Sequence, residues 1–269
     1  MVDLILTAGR REQLAALLDD AQRLKAEYPS VAEYLDAAPI LPGTGDDRAD
    51  AAFDLRFVHY LTSDESANPY WDIVAPSVSA VQGRRRVDGG RSRGSARLGF
   101  AQTILQTTFA YAVPAPDTIA WIADRCAGHR VVEIGAGRGY WAAQLARAGV
   151  RIEAYDSQPP DATTNLSFPS AAGRRDVWHP VDDHTAYTTS ADDVLFLCWP
   201  PGWEDPMAST ALAEFEGDRL IYIGEPKGGK TADDAFFDAL SADWTLESED
   251  PRSVAWWNLA DTAQAWVRR

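Results

Sequence analysis

The stretch Val131–Trp141, VVEIGAGRGYW, holds the residues whose types and spacing most directly suggest chemistry. An apolar run closes on Glu133-Ile134, glycines follow at Gly135, Gly137 and Gly139, and a helical pattern begins at once. Glycines there allow a tight turn and let backbone approach a ligand where any Cβ would collide. The unpaired N–H groups at the head of the next helix then face that ligand. A dinucleotide fingerprint would need its third glycine at position 140, which is Tyr140; the spacing is G-x-G-x-G, with an acid two positions ahead. A second apolar run, Val150–Tyr155, ends in Asp156. A carboxylate at that place can accept hydrogen bonds from both ribose hydroxyls of an adenosine lying across the strand ends.

Other segments could also carry chemistry. Gly224–Thr231, GEPKGGKT, satisfies the phosphate-loop pattern G-x-x-x-x-G-K-[ST]. Only 38 residues follow Thr231, with no later apolar strand ending in a metal-binding Asp, and Asp233 and Asp234 would oppose a phosphate at the next helix. The loop is therefore expected to be a plain strand-to-helix turn. Glu225 directly follows an apolar run, at the edge where open α/β sheets bind ligands, and could orient or deprotonate an acceptor. Tyr111, just before Pro114, could present its aromatic face to a cationic group, or join Phe100 and Phe109 in a buried stripe. His59 and His179 each fit a structural hydrogen-bonding role better than that of a base.

The elements that must position these groups can be read from periodicity. From His129 onward, apolar runs alternate with helical patterns, the mark of a mostly parallel sheet covered by helices. The spacing predicts strands at Arg130–Ile134, Val150–Tyr155, Val177–Val181, Val194–Cys198, Leu220–Ile223, Trp244–Glu247 and Ala263–Val267. Helices are predicted at Asp117–Cys126, Tyr140–Ala148, Pro206–Phe215 and Ala232–Leu240. Upstream, Arg11–Tyr28 and Ala49–Leu61 read as helices. Between Gly83 and Arg97, six arginines (Arg84, Arg85, Arg86, Arg91, Arg93, Arg97) lie among glycines and serines without hydrophobic period, which predicts a mobile basic loop.

Bulk composition bounds the function classes. A chain of 269 residues, 46% apolar and 24% charged, can bury a substantial core. Its formal net charge of −15 repels a nucleic-acid backbone or an anionic bilayer unless a local patch overrides it. Cys126 and Cys198 are too few for a disulfide framework or a zinc site, so no metal is expected. With no membrane-length apolar run and no secretion signal at the start, a cytoplasmic location is expected.

Glycine triplet, preceding acid, Asp156 and the count and order of strands together resemble the class I S-adenosylmethionine-dependent methyltransferases, over roughly residues 112–269. The resemblance implies a Rossmann-like α/β fold with a seven-stranded, mostly parallel sheet and helices on both faces. It implies S-adenosylmethionine as cofactor, held by Glu133, Gly135, Ala136, Gly137, Gly139, Asp156, Ser157, Asp182 (or Asp183, toward the adenine), Cys198 and Trp199. Members acting on amino groups carry Asn/Asp-Pro-Pro-aromatic after the fourth strand. Here Trp199-Pro200-Pro201-Gly202 stands there, so Trp199 replaces the amide or carboxylate and could form an apolar wall, stack on a flat or cationic acceptor, or pack in the core. Residues 1–111 are expected to form a mainly helical cap that shapes the substrate site, followed by the catalytic domain, 112–269. The expected function is methyl transfer to a small or medium-sized, in one reading anionic, acceptor of specialised metabolism, with Glu225, Tyr111 and Trp199 as the catalytic candidates. The alternatives are a nucleic-acid methyltransferase gripping phosphates through its arginines, and a non-catalytic partner subunit.

Overall fold

The computed structural model describes residues 4–160, 165, 167–168 and 177–269. The N-terminal region supplies α1 (Ala8–Asp19), α2 (Ala21–Glu27), α3 (Pro29–Ala37), α4 (Asp47–Leu61), α5 (Pro69–Val74), the strands β1 (Val78–Val81) and β2 (Arg84–Val87), and α6 (Ala96–Thr108). Then follow α7 (Pro116–Arg125), β3 (Arg130–Ile134), α8 (Tyr140–Arg147), β4 (Arg151–Asp156), β5 (Asp182–Asp183) and β6 (Val194–Cys198). The chain closes with α9 (Met207–Glu214), β7 (Arg219–Gly224), α10 (Asp234–Asp243), β8 (Trp244–Glu249), β9 (Val254–Trp256) and β10 (Thr262–Arg268).

Capping residues set several boundaries. The single helix expected over Arg11–Tyr28 is two, because Asp20 ends α1 and its carboxylate accepts from Arg23 N–H to start α2. Asp46, Asn68 and Ser95 cap α4, α5 and α6 in the same way.

Seven strands form one sheet in the order β5-β4-β3-β6-β7-β10-β8. Pairings from β5 to β7 are parallel, and β10 inserts antiparallel between β7 and β8. This is the Rossmann-like α/β fold expected from the sequence. Successive strand residues point to opposite faces. Val131, Val194, Phe196, Ile221 and Ile223 join the core beneath α7, α8 and the N-terminal helices, whereas Val132, Leu195, Leu197, Leu220 and Tyr222 join the one beneath α9 and α10. Strands buried on both faces explain the unbroken apolar runs in the sequence.

Two expectations are corrected. The strand placed at Val177–Val181 is instead the two-residue β5 at Asp182–Asp183, whose register pairs Tyr155 with Asp182 and Asp156 with Asp183. The basic segment 83–97 is not a loop throughout, since Arg84–Val87 forms β2, antiparallel to β1 and parallel to β9. Its period was invisible because of its residues only Val87 is fully buried. Arg85 bonds Asp117 at 2.8 Å and Arg97 bonds Asp54 at 3.3 Å, so two of the six arginines are paired with acids of the same chain.

The pairing of β2 with β9 crosses the expected 111/112 boundary. So does a shared core: Trp256, on β9 and fully buried, donates from Nε1 to Tyr70 Oη of α5 at 2.9 Å. Among the described residues no helix is long and apolar enough to cross a membrane.

Candidate functional site

The strand order reverses at β3, which has β4 on one side and β6 on the other. Connections diverge at such a switch point and leave a crevice at the carboxyl ends of the strands, where open α/β sheets bind ligands. The glycine loop sits at the end of β3, Asp156 at the end of β4, and Trp199 just beyond β6.

All three glycines of the loop have positive φ: +78° at Gly135, +54° at Gly137 and +68° at Gly139. The loop is tied to β4, because Gly135 and Ala136 N–H both donate to Tyr155 O. Asp156 accepts from Gly137 N–H through Oδ2 and from Gln158 N–H through Oδ1, both at 2.8 Å. Each oxygen keeps a lone pair for a ligand. Neighbouring side chains use the space that the glycines free. A Cβ at Gly137 would lie 2.3 Å from Phe168, one at Gly135 2.3 Å from the Met207 methyl, and one at Gly139 2.9 Å from His179 O. Phe168 and Met207 were not legible as site residues, since nothing local in their sequence connects them to this loop.

Glu133 lies beneath the loop, 2% exposed, and among the described residues its Oε2 has no hydrogen-bond partner. Burial pushes its carboxyl up to about 8, the nearby Asp156 adds to that, and a bond from Ala142 N–H opposes it. A buried carboxyl oxygen without a donor is costly and favours a cationic or N–H-bearing ligand. Ser157, Asp182 and Asp183 are exposed at the β4–β5 edge, where Asp183 is engaged by Thr185. Burial raises the Cys198 thiol well above its ordinary value, so it is no thiolate nucleophile.

Trp199 turns the chain after β6 with φ +55°, a conformation that costs a bulky L-residue about 1–2 kcal/mol. Its N–H bonds Ile223 O at 2.7 Å, and its indole Nε1 donates to Asp261 Oδ1 at 2.9 Å. The ring stacks on Tyr111, with centroids 5.1 Å apart and 18° between planes, and Tyr111 in turn meets the edge of Phe168 at 5.7 Å. Burial raises the Tyr111 hydroxyl, while a bond with Ser167 opposes the shift. Asp261 was also missed, because it becomes a neighbour of Trp199 only when β10 inserts beside β7.

Glu225 is 6% exposed, with Oε2 accepting from Lys230 N–H at 2.8 Å and Oε1 from Ala260 N–H at 2.9 Å. Thr231 Oγ1 accepts from Glu225 N–H and pairs with Tyr222 Oη. The phosphate-loop lookalike thus wraps its own carboxylate, and the donor a phosphate would use at Lys230 is already taken. ATP should give no calorimetric binding signal with the wild type or with Lys230→Ala. Magnesium-dependent micromolar binding lost in that variant would revive the triphosphatase reading. His59 lies away from this site, accepting from Arg10 Nε at 3.0 Å in the N-terminal core. His179 places its carbonyl oxygen and Cβ against Gly139.

No family model matches the chain, and no curated protein matches it. Among solved structures it is similar to a magnesium protoporphyrin IX methyltransferase from Synechocystis with bound S-adenosylhomocysteine (17% identity, 64% of this chain and 85% of that one, TM-score 0.38). It is also similar to a ribosomal protein L11 methylase from Lactobacillus delbrueckii subsp. bulgaricus (14%, 56% and 77%, 0.35). A third is the 1,6-didemethyltoxoflavin-N1-methyltransferase of Burkholderia thailandensis (16%, 58% and 79%, 0.36). At these values the likeness is remote. The strand order and the glycine loop of the chain itself are the firmer ground. In fold, the chain resembles the class I S-adenosylmethionine-dependent methyltransferases.

Proposed function

We propose that this protein is an S-adenosylmethionine-dependent methyltransferase acting on a small or medium-sized acceptor. The observation that carries the reading is a glycine loop at the switch point of the sheet, with a buried Glu133 oxygen beneath it that no donor among the described residues meets. Gly135, Ala136, Gly137 and Gly139 would hold the cofactor from below, Asp156 and Ser157 its ribose, and Asp182 its adenine. Cys198 and Trp199 close the side toward the acceptor. S-adenosylmethionine supplies a methyl group on an electron-poor sulfur, so the chain contributes mainly position and charge. Tyr111 and Trp199 offer aromatic faces to a cation or a flat acceptor. Glu225, with both oxygens taken by backbone, keeps the loops after β7 and before β10 in place.

Calorimetric titration with S-adenosylhomocysteine tests the reading; no binding by the wild type removes it. Asp156→Ala should weaken that binding by about 1.5–3 kcal/mol, the worth of a charge-assisted hydrogen bond.

A pH effect follows from Glu133. At pH 7 a carboxyl titrating at about 8 is mostly protonated. A net-positive cofactor favours its charged form, so its pKa falls on binding and a proton is released. Affinity for S-adenosylmethionine should therefore rise with pH up to about 8. Titrations in buffers of different ionisation enthalpy should show the release, and Glu133→Gln should abolish it. Equal heats in all buffers for the wild type would contradict this role.

A further inference from the structure

Asp261 precedes β10 and is 7% exposed, and its two carboxylate oxygens have different surroundings. Oδ1 accepts from Trp199 Nε1, while Oδ2 is buried without a hydrogen-bond partner among the described residues. A buried carboxylate oxygen left unpaired is costly, and such groups in native proteins usually have a ligand or a proton to account for them.

What surrounds Asp261 points to the kind of group it would meet. Trp199 is stacked on Tyr111, Tyr111 meets Phe168, and Phe168 lies against Gly137. A continuous aromatic surface therefore runs from the glycine loop to the Asp261 carboxylate. Such a surface favours a flat ring, and a carboxylate at its end favours a hydroxyl donor on that ring.

We propose that Asp261 is the acceptor-side carboxylate of this site, binding and deprotonating the hydroxyl of a planar, phenol-like acceptor that lies against Trp199 and Tyr111. This rests on the methyltransferase reading. The hydroxyl proton passes to Asp261 Oδ2, the freed oxygen pair forms the bond to the methyl carbon, and the C–S pair leaves with sulfur. The proton held by Asp261 then returns to water. Burial pushes the Asp261 carboxyl up to about 7, the Trp199 bond pulls it down, Glu225 raises it and Lys230 lowers it. A base works best with its pKa near the operating pH.

The probes are 4-methylphenol, which keeps its hydroxyl proton near neutral pH, and 4-methylanisole, its methyl ether, which has the same ring but no donor. Their affinities are measured by equilibrium dialysis on full-length protein saturated with S-adenosylhomocysteine. The wild type should prefer the phenol by about tenfold or more, as a charge-assisted hydrogen bond implies. Asp261→Asn, which still accepts from Trp199 but presents an amide, should bring the two affinities within about twofold while S-adenosylhomocysteine binding holds. If S-adenosylhomocysteine does not bind the wild type, the methyltransferase reading fails and this inference with it. If it binds but the wild type shows no phenol preference, or Asp261→Asn retains one, this inference alone is overturned.

Discussion

Gly137→Val is expected to abolish S-adenosylhomocysteine binding while the protein stays folded. At φ +54° a β-branched residue is strained by roughly 1–2 kcal/mol, whatever space surrounds it. The space is also lacking, since the new Cβ would lie 2.3 Å from Phe168 Cε2 and 2.6 Å from Cζ, with two more methyls beyond it. Phe168 is the end of a side chain and can give way, so the fold survives. The loop face that should carry the cofactor is then filled, and the Gly137 N–H to Asp156 bond is disturbed. Affinity should drop by about 100-fold or more, about 2.7 kcal/mol. Gly128→Ala is the control: its φ is +85° and nothing lies within 4 Å of an added Cβ, so it carries strain without obstruction. That variant should lose some stability and no binding. Wild-type affinity in Gly137→Val, with Phe168 and the loop intact, would remove the loop from the cofactor site.

Trp256→Ala should lower the unfolding free energy by about 3–5 kcal/mol, the range for deleting a large buried aromatic side chain. The indole is fully buried, lies edge-on to Trp257 at 6.0 Å, and makes the 2.9 Å bond to Tyr70 Oη. Tyr70 is itself fully buried and stacks on Phe109 at 5.5 Å, so its hydroxyl is left without that donor. The residue sits where β9 of the C-terminal region pairs with β2 of the N-terminal one, and both regions contribute to one core. Urea unfolding followed by tryptophan fluorescence and by far-ultraviolet circular dichroism should therefore give one coincident transition in the wild type. Two separated transitions, or a loss under about 1 kcal/mol in the variant, would mean that the two regions are stabilised independently.

Much of the sheet was legible because burial on both faces writes itself into the sequence as unbroken apolar runs. Arg130–Ile134 and Val194–Cys198 match the observed strands residue for residue. The glycine loop was legible for a related reason: a backbone that needs positive φ at three alternating positions leaves glycine as the residue that fits without strain. Elements without an internal hydrophobic period were not. β5 is two exposed aspartates held by register with Tyr155 and Asp156, and β2 is three arginines and a valine held by β1 and β9.

The sequence by itself determined the class of fold, the place of the loop and Asp156 at adjoining strand ends, because these depend on local conformation and on which residues shun water. It also contained the phosphate-loop pattern, but only tertiary structure showed that Glu225 accepts from the loop's Lys230 N–H and from Ala260 N–H before β10. The acceptor side was decided wholly by tertiary structure. Trp199 and Asp261 stand 62 positions apart and share a hydrogen bond because β10 inserts antiparallel beside β7, while β7 pairs with β6. Phe168 reaches Gly137 across a connection with no period to betray it. Long-range strand insertion and side-chain approach depend on the whole packed core, and no local spacing encodes them.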